Sequence, residues 1–180
     1  MGDNETRVVT GPRTRWAFVN VWRPKPRLED GRMMYSVRLL IPKDDTCTVE
    51  KIKRAMRAAY DADPEKLTDE YGAPEFEDLR LPLQDGDQTM PGRPEYAGHW
   101  YMNCNTQYRP GVLDAEKRPI LETRQVYSGV YGRASVSFYA YNGGGGQKGV
   151  ACALRHLQKI RDGEPLGNAG SAEEDFRDEE

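Results

Sequence analysis

Val130-Tyr-Gly-Arg-Ala-Ser-Val-Ser-Phe-Tyr-Ala-Tyr141 alternates without a break, and its two sides have different chemistry. Val130, Gly132, Ala134, Val136, Phe138 and Ala140 make one compact apolar side. Tyr131, Arg133, Ser135, Ser137, Tyr139 and Tyr141 make the other. A period of two is that of a strand with one face buried and one in water. Asn142-Gly-Gly-Gly-Gly146 follows, and Lys148 to Leu154 then returns as a second strand, so the stretch reads as a hairpin with a flexible tip. Leu154 to Asp162 continues either as strand or as a short helical turn, and Gly163-Glu-Pro165 closes the folded part.

Working outward, Arg15 to Arg23 alternates as well, with Trp16, Phe18, Asn20 and Trp22 on one side and Ala17, Val19 and Val21 on the other, until Pro24 and Pro26 end it. Met33 to Ile41 repeats the pattern, with Met33, Tyr35, Val37, Leu39 and Ile41 inward and Met34, Ser36 and Arg38 outward. Pro42 stops that strand. Val49, Ile52, Met56 and Ala59 recur at helical spacing after Thr46 and Thr48, read as caps, while Lys51, Lys53, Arg54 and Arg57 cover the far side. This predicts one amphipathic helix ending near Pro64. Residues 65–94, rich in proline, glycine and acid, read as a long connection in which only Leu79, Leu81 and Leu83 suggest order. His99 to Tyr108 supplies another strand, with Trp100, Met102 and Cys104 inward. Five or more strands, one helix and no internal repeat predict a mainly β fold, a small closed or partly closed barrel.

The chain has 180 residues, which is enough for one core, and its formal charge of −3 hides a division. The last eighteen residues carry seven acids and one base. The preceding 162 carry 25 bases and 22 acids, so a body of +3 bears a tail of −6. Such asymmetry points to a nucleic-acid binder. The domain reading is a folded unit over 1–166 and a disordered acidic tail over 167–180, whose one large apolar residue cannot repay the entropy of ordering. No stretch approaches the eighteen apolar residues of a membrane span, and Met1 to Arg7 lacks the apolar run of a signal peptide, so a soluble, unexported protein is expected. Cys47, Cys104 and Cys152 are isolated and read as free thiols in a reducing cytosol.

The candidate binding residues are aromatic and cationic. Tyr131, Tyr139 and Tyr141 with Arg133 form a stacking platform with a cation beside it; the alternative is cross-strand pairing of the rings. Trp16, Phe18 and Trp22 form a similar stripe, for which core packing is the alternative. Arg13, Arg15, Arg23, Lys25 and Arg27 read as a phosphate-tracking edge, and Tyr101, Tyr108 and Arg109 repeat the combination. Gly143 to Gly149 lacks the Gly-Lys-Ser/Thr ending of a phosphate loop and reads as a turn. Asp85-Gly-Asp87 has no full ligand spacing, and His99 and His156 stand apart from any cysteine, so no metal, cofactor or catalytic residue is assigned.

From about residue 7 to the carboxyl terminus the chain resembles a family of tailed-bacteriophage single-stranded-DNA-binding proteins. The matching stretches are Phe18-Val-Asn-Val, Tyr35-Ser-Val-Arg-Leu-Leu-Ile-Pro-Lys43, Leu81-Pro-Leu-Gln-Asp-Gly-Asp87 and Tyr96-Ala-Gly-His. Further on they are Val126-Tyr-Ser-Gly-Val-Tyr-Gly-Arg-Ala134, Phe138-Tyr-Ala-Tyr-Asn142 and Arg161-Asp-Gly-Glu-Pro-Leu-Gly167, followed by the acidic tail. The resemblance implies an OB-fold with an inserted helix, sequence-tolerant binding of single-stranded DNA, and a tail that recruits replication partners. That tail would act through Glu173, Glu174, Asp175, Phe176, Asp178, Glu179 and Glu180. In related proteins the tail aromatic lies at the extreme terminus, whereas Phe176 precedes Arg177-Asp-Glu-Glu180.

The expected protein is therefore a non-catalytic binder without cofactors. It coats single strands in phage replication, recombination or repair in the cytoplasm of an infected bacterial host. Its tail would recruit phage or host proteins, or compete with DNA as a mock strand. No membrane partner is expected, and the exposed strands could pair with a second subunit. The competing readings are a metal-dependent nuclease using Asp85 and Asp87, and a protein-interaction adaptor.

Overall fold

The computed structural model describes residues 5–27, 30–143 and 147–166. The hairpin tip Gly144–Gly146 and the acidic tail with Glu173, Glu174, Asp175, Phe176, Asp178, Glu179 and Glu180 lie outside them. Eight strands run in chain order as β1 (Arg7–Val9), β2 (Arg15–Pro26), β3 (Met33–Pro42), β4 (Gln84–Asp85), β5 (His99–Thr106), β6 (Gly111–Leu113), β7 (Tyr131–Asn142) and β8 (Lys148–Arg161). Strands β2, β3, β5, β8 and β7 follow one another around a ring that the β7–β8 hairpin closes. Two seams are narrow, with Arg15 opposite Tyr131 between β2 and β7, and Asn105 opposite Ala153 between β5 and β8. The fold is mainly β and OB-fold-like, a ring of sheet rather than a regular barrel.

The long helix α1 (Thr46–Ala62) sits between β3 and β5 in sequence and buries Val49, Ile52, Ala55, Met56 and Ala59. Its cap is Asp45 rather than Thr46 or Thr48. The Asp45 carboxylate accepts from the Thr48 amide at 3.3 Å and from the Thr48 hydroxyl at 2.7 Å. A carboxylate one residue earlier both satisfies an orphan amide and complements the helix dipole, so it outcompetes the hydroxyls.

β7 buries Gly132, Ala134, Val136, Phe138 and Ala140, as its alternation predicts, and β8 runs as strand through Arg161. β2 departs from its pattern. Between Ala17, opposite Arg38, and Asn20, opposite Ser36, it carries one more residue than its partner. Phe18 occupies this bulge with φ of +48°. The extra residue shifts the phase, so Trp16 and Val21 are both fully buried while Phe18 turns outward at 43% exposure. Trp16 is thereby a core residue, sealed from solvent, rather than part of an exposed stripe. Its indole Nε1 donates to the Gly132 carbonyl at 3.2 Å, and a Cβ on Gly132 would lie 2.5 Å from the same ring.

Residues 65–97 form an ordered strap. Phe76 meets Tyr60 edge-on at 5.6 Å, and the Arg80 amide donates to Lys148 O while Arg80 O accepts from Val150. Beyond β4 the strap lays Met90 and Tyr96 on the outside of the sheet. There Ala17, Leu40, Tyr96 and Tyr101 form a second small core joined by Leu166. Tyr101, expected on the surface, is buried here because its ring packs edge-on against Tyr96 at 5.2 Å.

Candidate nucleic-acid interface

Register across the ring aligns residues that are far apart in sequence. Asn20 stands opposite Ser36, Ser36 opposite Asn105, Asn105 opposite Ala153, and Ala153 opposite Ser137, which gives one row of small and amide side chains on the outer face. Side chains directly opposite on paired strands point to the same face. One step along, Arg38 stands opposite Asn103, and Tyr139 opposite Ala151. The result is a low floor of Ser, Asn and Ala, with Phe18 and Arg38 to one side and Tyr139 to the other. Tyr139 is 46% exposed. Its phenol is pushed up by burial, against a downward pull from the Arg27 guanidinium.

Arg38 is the most constrained cation on this face. Its guanidinium carbon lies 4.9 Å from the Phe18 ring centre and 4.8 Å from that of Tyr101. Its Nε donates to Asn103 Oδ1 and one terminal nitrogen to the Tyr96 hydroxyl, both at 2.8 Å. Every one of these partners is neutral, and among the described residues no carboxylate pairs with it. A guanidinium held in place with its charge uncompensated suits a phosphate or a base edge.

The other predicted residues fall into separate groups. Arg13 to Arg27 spans fifteen residues of mostly extended chain, about 46 Å end to end, so the five cations are strung out along β2 with different surroundings. At one end Arg13 pairs with Asp44 at 3.0 Å, and Arg15 donates to the Gly129 and Glu164 carbonyls. At the other end Arg27 is held by Asp30, whose carboxyl is lowered to about 2 by that hydrogen bond and then by the Arg32 amide. Arg23 and Lys25 are exposed between them.

Trp22 is half-buried against the core with Arg109 5.8 Å from its ring, and Tyr108 stands 79% exposed nearby in sequence. Tyr131 lies under Arg15 at 5.2 Å and Arg161 at 3.9 Å, so it supports guanidiniums rather than offering a free stacking surface. Arg133 donates to Thr10 O. Tyr141 folds over Gly149, where an added Cβ would lie 2.9 Å from its hydroxyl. Phe18 was a candidate from its stripe with Trp16 and Trp22, whereas Arg38, Asn20, Ser36, Asn103 and Asn105 were absent from the sequence-derived site. The signal for Arg38 and Ser36 was their outward phase on β3, but the register that joins them to Asn103 and Asn105 was not available.

Asp85 and Asp87 do not form a metal centre. Lys43 Nζ donates to Asp85 Oδ1 at 2.7 Å and to Asp87 Oδ2 at 2.8 Å, and Asp85 also accepts from the Asp87 amide at 2.9 Å. Among the described residues no three His, Cys, Asp or Glu side chains gather as metal ligands. Cys104 and Cys152 lie with sulfurs 3.3 Å apart in the core, where burial and the hydrogen bond between them push the Cys152 thiol well up and keep it protonated. No helix among the described residues is long and apolar enough to cross a membrane.

The model of the family described as Enterobacter phage Enc34, ssDNA-binding protein, matches residues 6–180. Protein p50 of Acyrthosiphon pisum secondary endosymbiont phage 1 is 31% identical over 175 residues, covering 91% of this chain and 89% of its own. The single-stranded DNA-binding protein of bacteriophage Enc34 in complex with ssDNA is similar in structure, with a TM-score of 0.71 at 23% identity over 90% of each chain. Its C-terminal truncation gives 0.73 at 20% identity over 89% of this chain and 88% of that one. The single-stranded DNA-binding protein gp2.5 of bacteriophage T7 gives 0.59 at 17% identity over 97% and 94%. On the match of the family model to nearly its whole length, the chain belongs to the Enc34 phage single-stranded-DNA-binding protein family.

Proposed function

We propose that this protein coats single-stranded DNA without catalysis and without sequence preference, on the outer face of β2, β3, β5, β8 and β7. The observation that carries this reading is Arg38, an uncompensated guanidinium fixed between Phe18 and Tyr101 beside a floor of Asn and Ser. Bases stack on Phe18 and Tyr139, phosphates meet Arg38, and Arg23, Lys25, Tyr108 and Arg109 flank the path at the far end of β2. Stacking is sequence-tolerant because every base has a π-face. The small floor side chains leave room for the strand. An Enc34 relative of similar fold binds ssDNA, which supports the same use here.

The role extends to DNA replication, recombination and repair in the cytoplasm of the infected host, with the acidic tail recruiting phage or host proteins or competing with DNA. Geometry near the tail supports competition. Leu166 packs on Ala17, Leu40, Tyr96 and Tyr101, beside Arg38. The fourteen residues beyond it can reach about 46–50 Å, enough to span the whole face with net negative charge.

The test is a polarisation titration of labelled oligo-dT and of a matching duplex over a salt series. Expected are tight binding to the single strand, a negative log–log salt slope and much weaker duplex binding. Absence of binding at low salt overturns the reading.

A further inference from the structure

A second cationic feature lies at one end of the barrel. There β3 ends at Pro42, β5 begins at His99, β7 begins at Tyr131 and β8 ends at Arg161. These residues, with Arg13, Lys43 and Asp44, line an open cleft of about 530 Å³. That volume lies in the range of pockets that hold small ligands. The cations are not equivalent. Lys43 is compensated by two carboxylates, Asp85 and Asp87, and serves as wall. Arg161 stacks 3.9 Å from the Tyr131 ring centre and has no ion-pair partner among the described residues. Among the described residues Arg13 forms an ion pair with Asp44 alone, and the two side chains are 54% and 77% exposed. Exposed pairs of that kind are worth at most about 1 kcal/mol, so an incoming phosphate displaces Asp44 readily. Stacking on Tyr131 leaves the edge of the Arg161 guanidinium, with its N–H donors, turned to a ligand.

We propose that this cleft is a second phosphate-binding station for single-stranded DNA, which grips the strand where it leaves the sheet face. The proposal rests on the function argued above. On β3 the cleft begins at Pro42, four residues from Arg38, or about 13 Å. At about 3.4 Å per stacked nucleotide, roughly four nucleotides separate the two points. A dT5 without terminal phosphates carries four phosphates that span about 10 Å, short of that distance, and occupies the face alone, whereas longer oligonucleotides engage both. The chemistry recognised is the backbone phosphate rather than the base, because the guanidiniums of Arg15 and Arg161 already cover Tyr131.

The experiment compares dT5 and dT15 binding to the full chain and to a double variant, Arg13→Gln with Arg161→Gln, over a salt series. For dT15 the expected result is a loss of about 5- to 30-fold at low salt, with the log–log slope shallower by roughly 0.7 to 1.4 for one or two lost phosphate contacts. For dT5 no change is expected. Unchanged dT15 binding overturns the proposal, and so does an equal loss for both lengths, which would make the cleft part of the face. Should the double variant melt early, Asp44→Asn keeps every cation and removes the competing anion. It must tighten dT15 binding and leave dT5 unaffected, and failure to do so is equally fatal. A synthetic peptide of residues 167–180 is titrated alongside. If its binding falls in the double variant while dT15 binding holds, the cleft is a site for acidic polypeptide and the proposal fails. If the unaltered protein binds neither oligonucleotide, the coating function itself falls, a distinguishable outcome.

Discussion

Replacing Phe18 tests the bulge in β2 and the binding face in one series. The side chain is 43% exposed, its backbone sits at φ +48°, and the Arg38 guanidinium lies 4.9 Å from the ring centre. Phe18→Ala removes a cation–π contact worth about 0.5–1 kcal/mol at an exposed site. It leaves the left-handed backbone, which costs a non-glycine residue about 1–2 kcal/mol. Phe18→Gly loses the same contact but relieves that cost, so it should be the more stable of the two by about 1 kcal/mol, or roughly 2–4 °C in Tm. Both should lose one stacked base, about 1–3 kcal/mol, which is a roughly 5- to 150-fold weaker Kd for oligo-dT. Thermal melting and fluorescence polarisation read the two effects separately. Phe18→Ala binding within twofold of the original would refute the placement of bases on this face. A glycine variant that melts below the alanine variant would refute the strained bulge.

Three further expectations follow from particular contacts. A Cβ at Gly132 would lie 2.3 Å from the Gln158 carbonyl and 2.5 Å from the Trp16 ring, so Gly132→Ala should cost at least about 2 kcal/mol, a Tm drop of roughly 4–8 °C; an unchanged melt would contradict the packing. Asp85 and Asp87 are lowered from 3.8 chiefly by the Lys43 hydrogen bonds, and Lys43 is raised from 10.5 chiefly by Asp85. The carboxylate contribution is then complete above their ordinary range and lost as pH falls through the depressed values. The lysine contribution is complete below 10.5 and lost as pH rises through its raised value. Lys43→Met should accordingly melt lower on the neutral plateau and converge with the original as pH falls through the depressed carboxylate values, and a gap that stays constant throughout the acid limb would refute the coupling. Deleting 167–180 should tighten oligo-dT binding and weaken its salt dependence, whereas unchanged affinity would remove the tail from the face.

How much was legible depended on what local pattern encodes. The two faces of β7 and the outward phase of Ser36 and Arg38 on β3 follow from period two alone, because successive side chains on a strand must alternate. α1 followed from its spacing, while its cap did not, because Asp45, Thr46 and Thr48 all offer a capping oxygen within one turn, and Thr48 turns out to donate to Asp45. The strap over 65–97 looked structureless because its order comes from partners elsewhere, Lys148 and Val150 for Arg80 and Leu40 for Tyr96.

The two short helices Pro64–Leu67 and Gly86–Thr89 aside, the sequence by itself determined the mainly β fold, the long helix α1, the division between a cationic body and an anionic tail, and the kinds of side chain available for binding. These depend on neighbours within a few positions. Tertiary structure alone decided which rings face water. Trp16 and Phe18 have the same parity, yet one is sealed in the core and the other exposed, because the extra residue in β2 exists only relative to the register of β3. It also decided that Arg38 meets Asn103, that Tyr101 is buried, and that Arg13 and Arg161 share a cleft. Alternation tells on which side a residue stands, but its neighbours are set by pairing between strands far apart in the chain, and no local period carries that information.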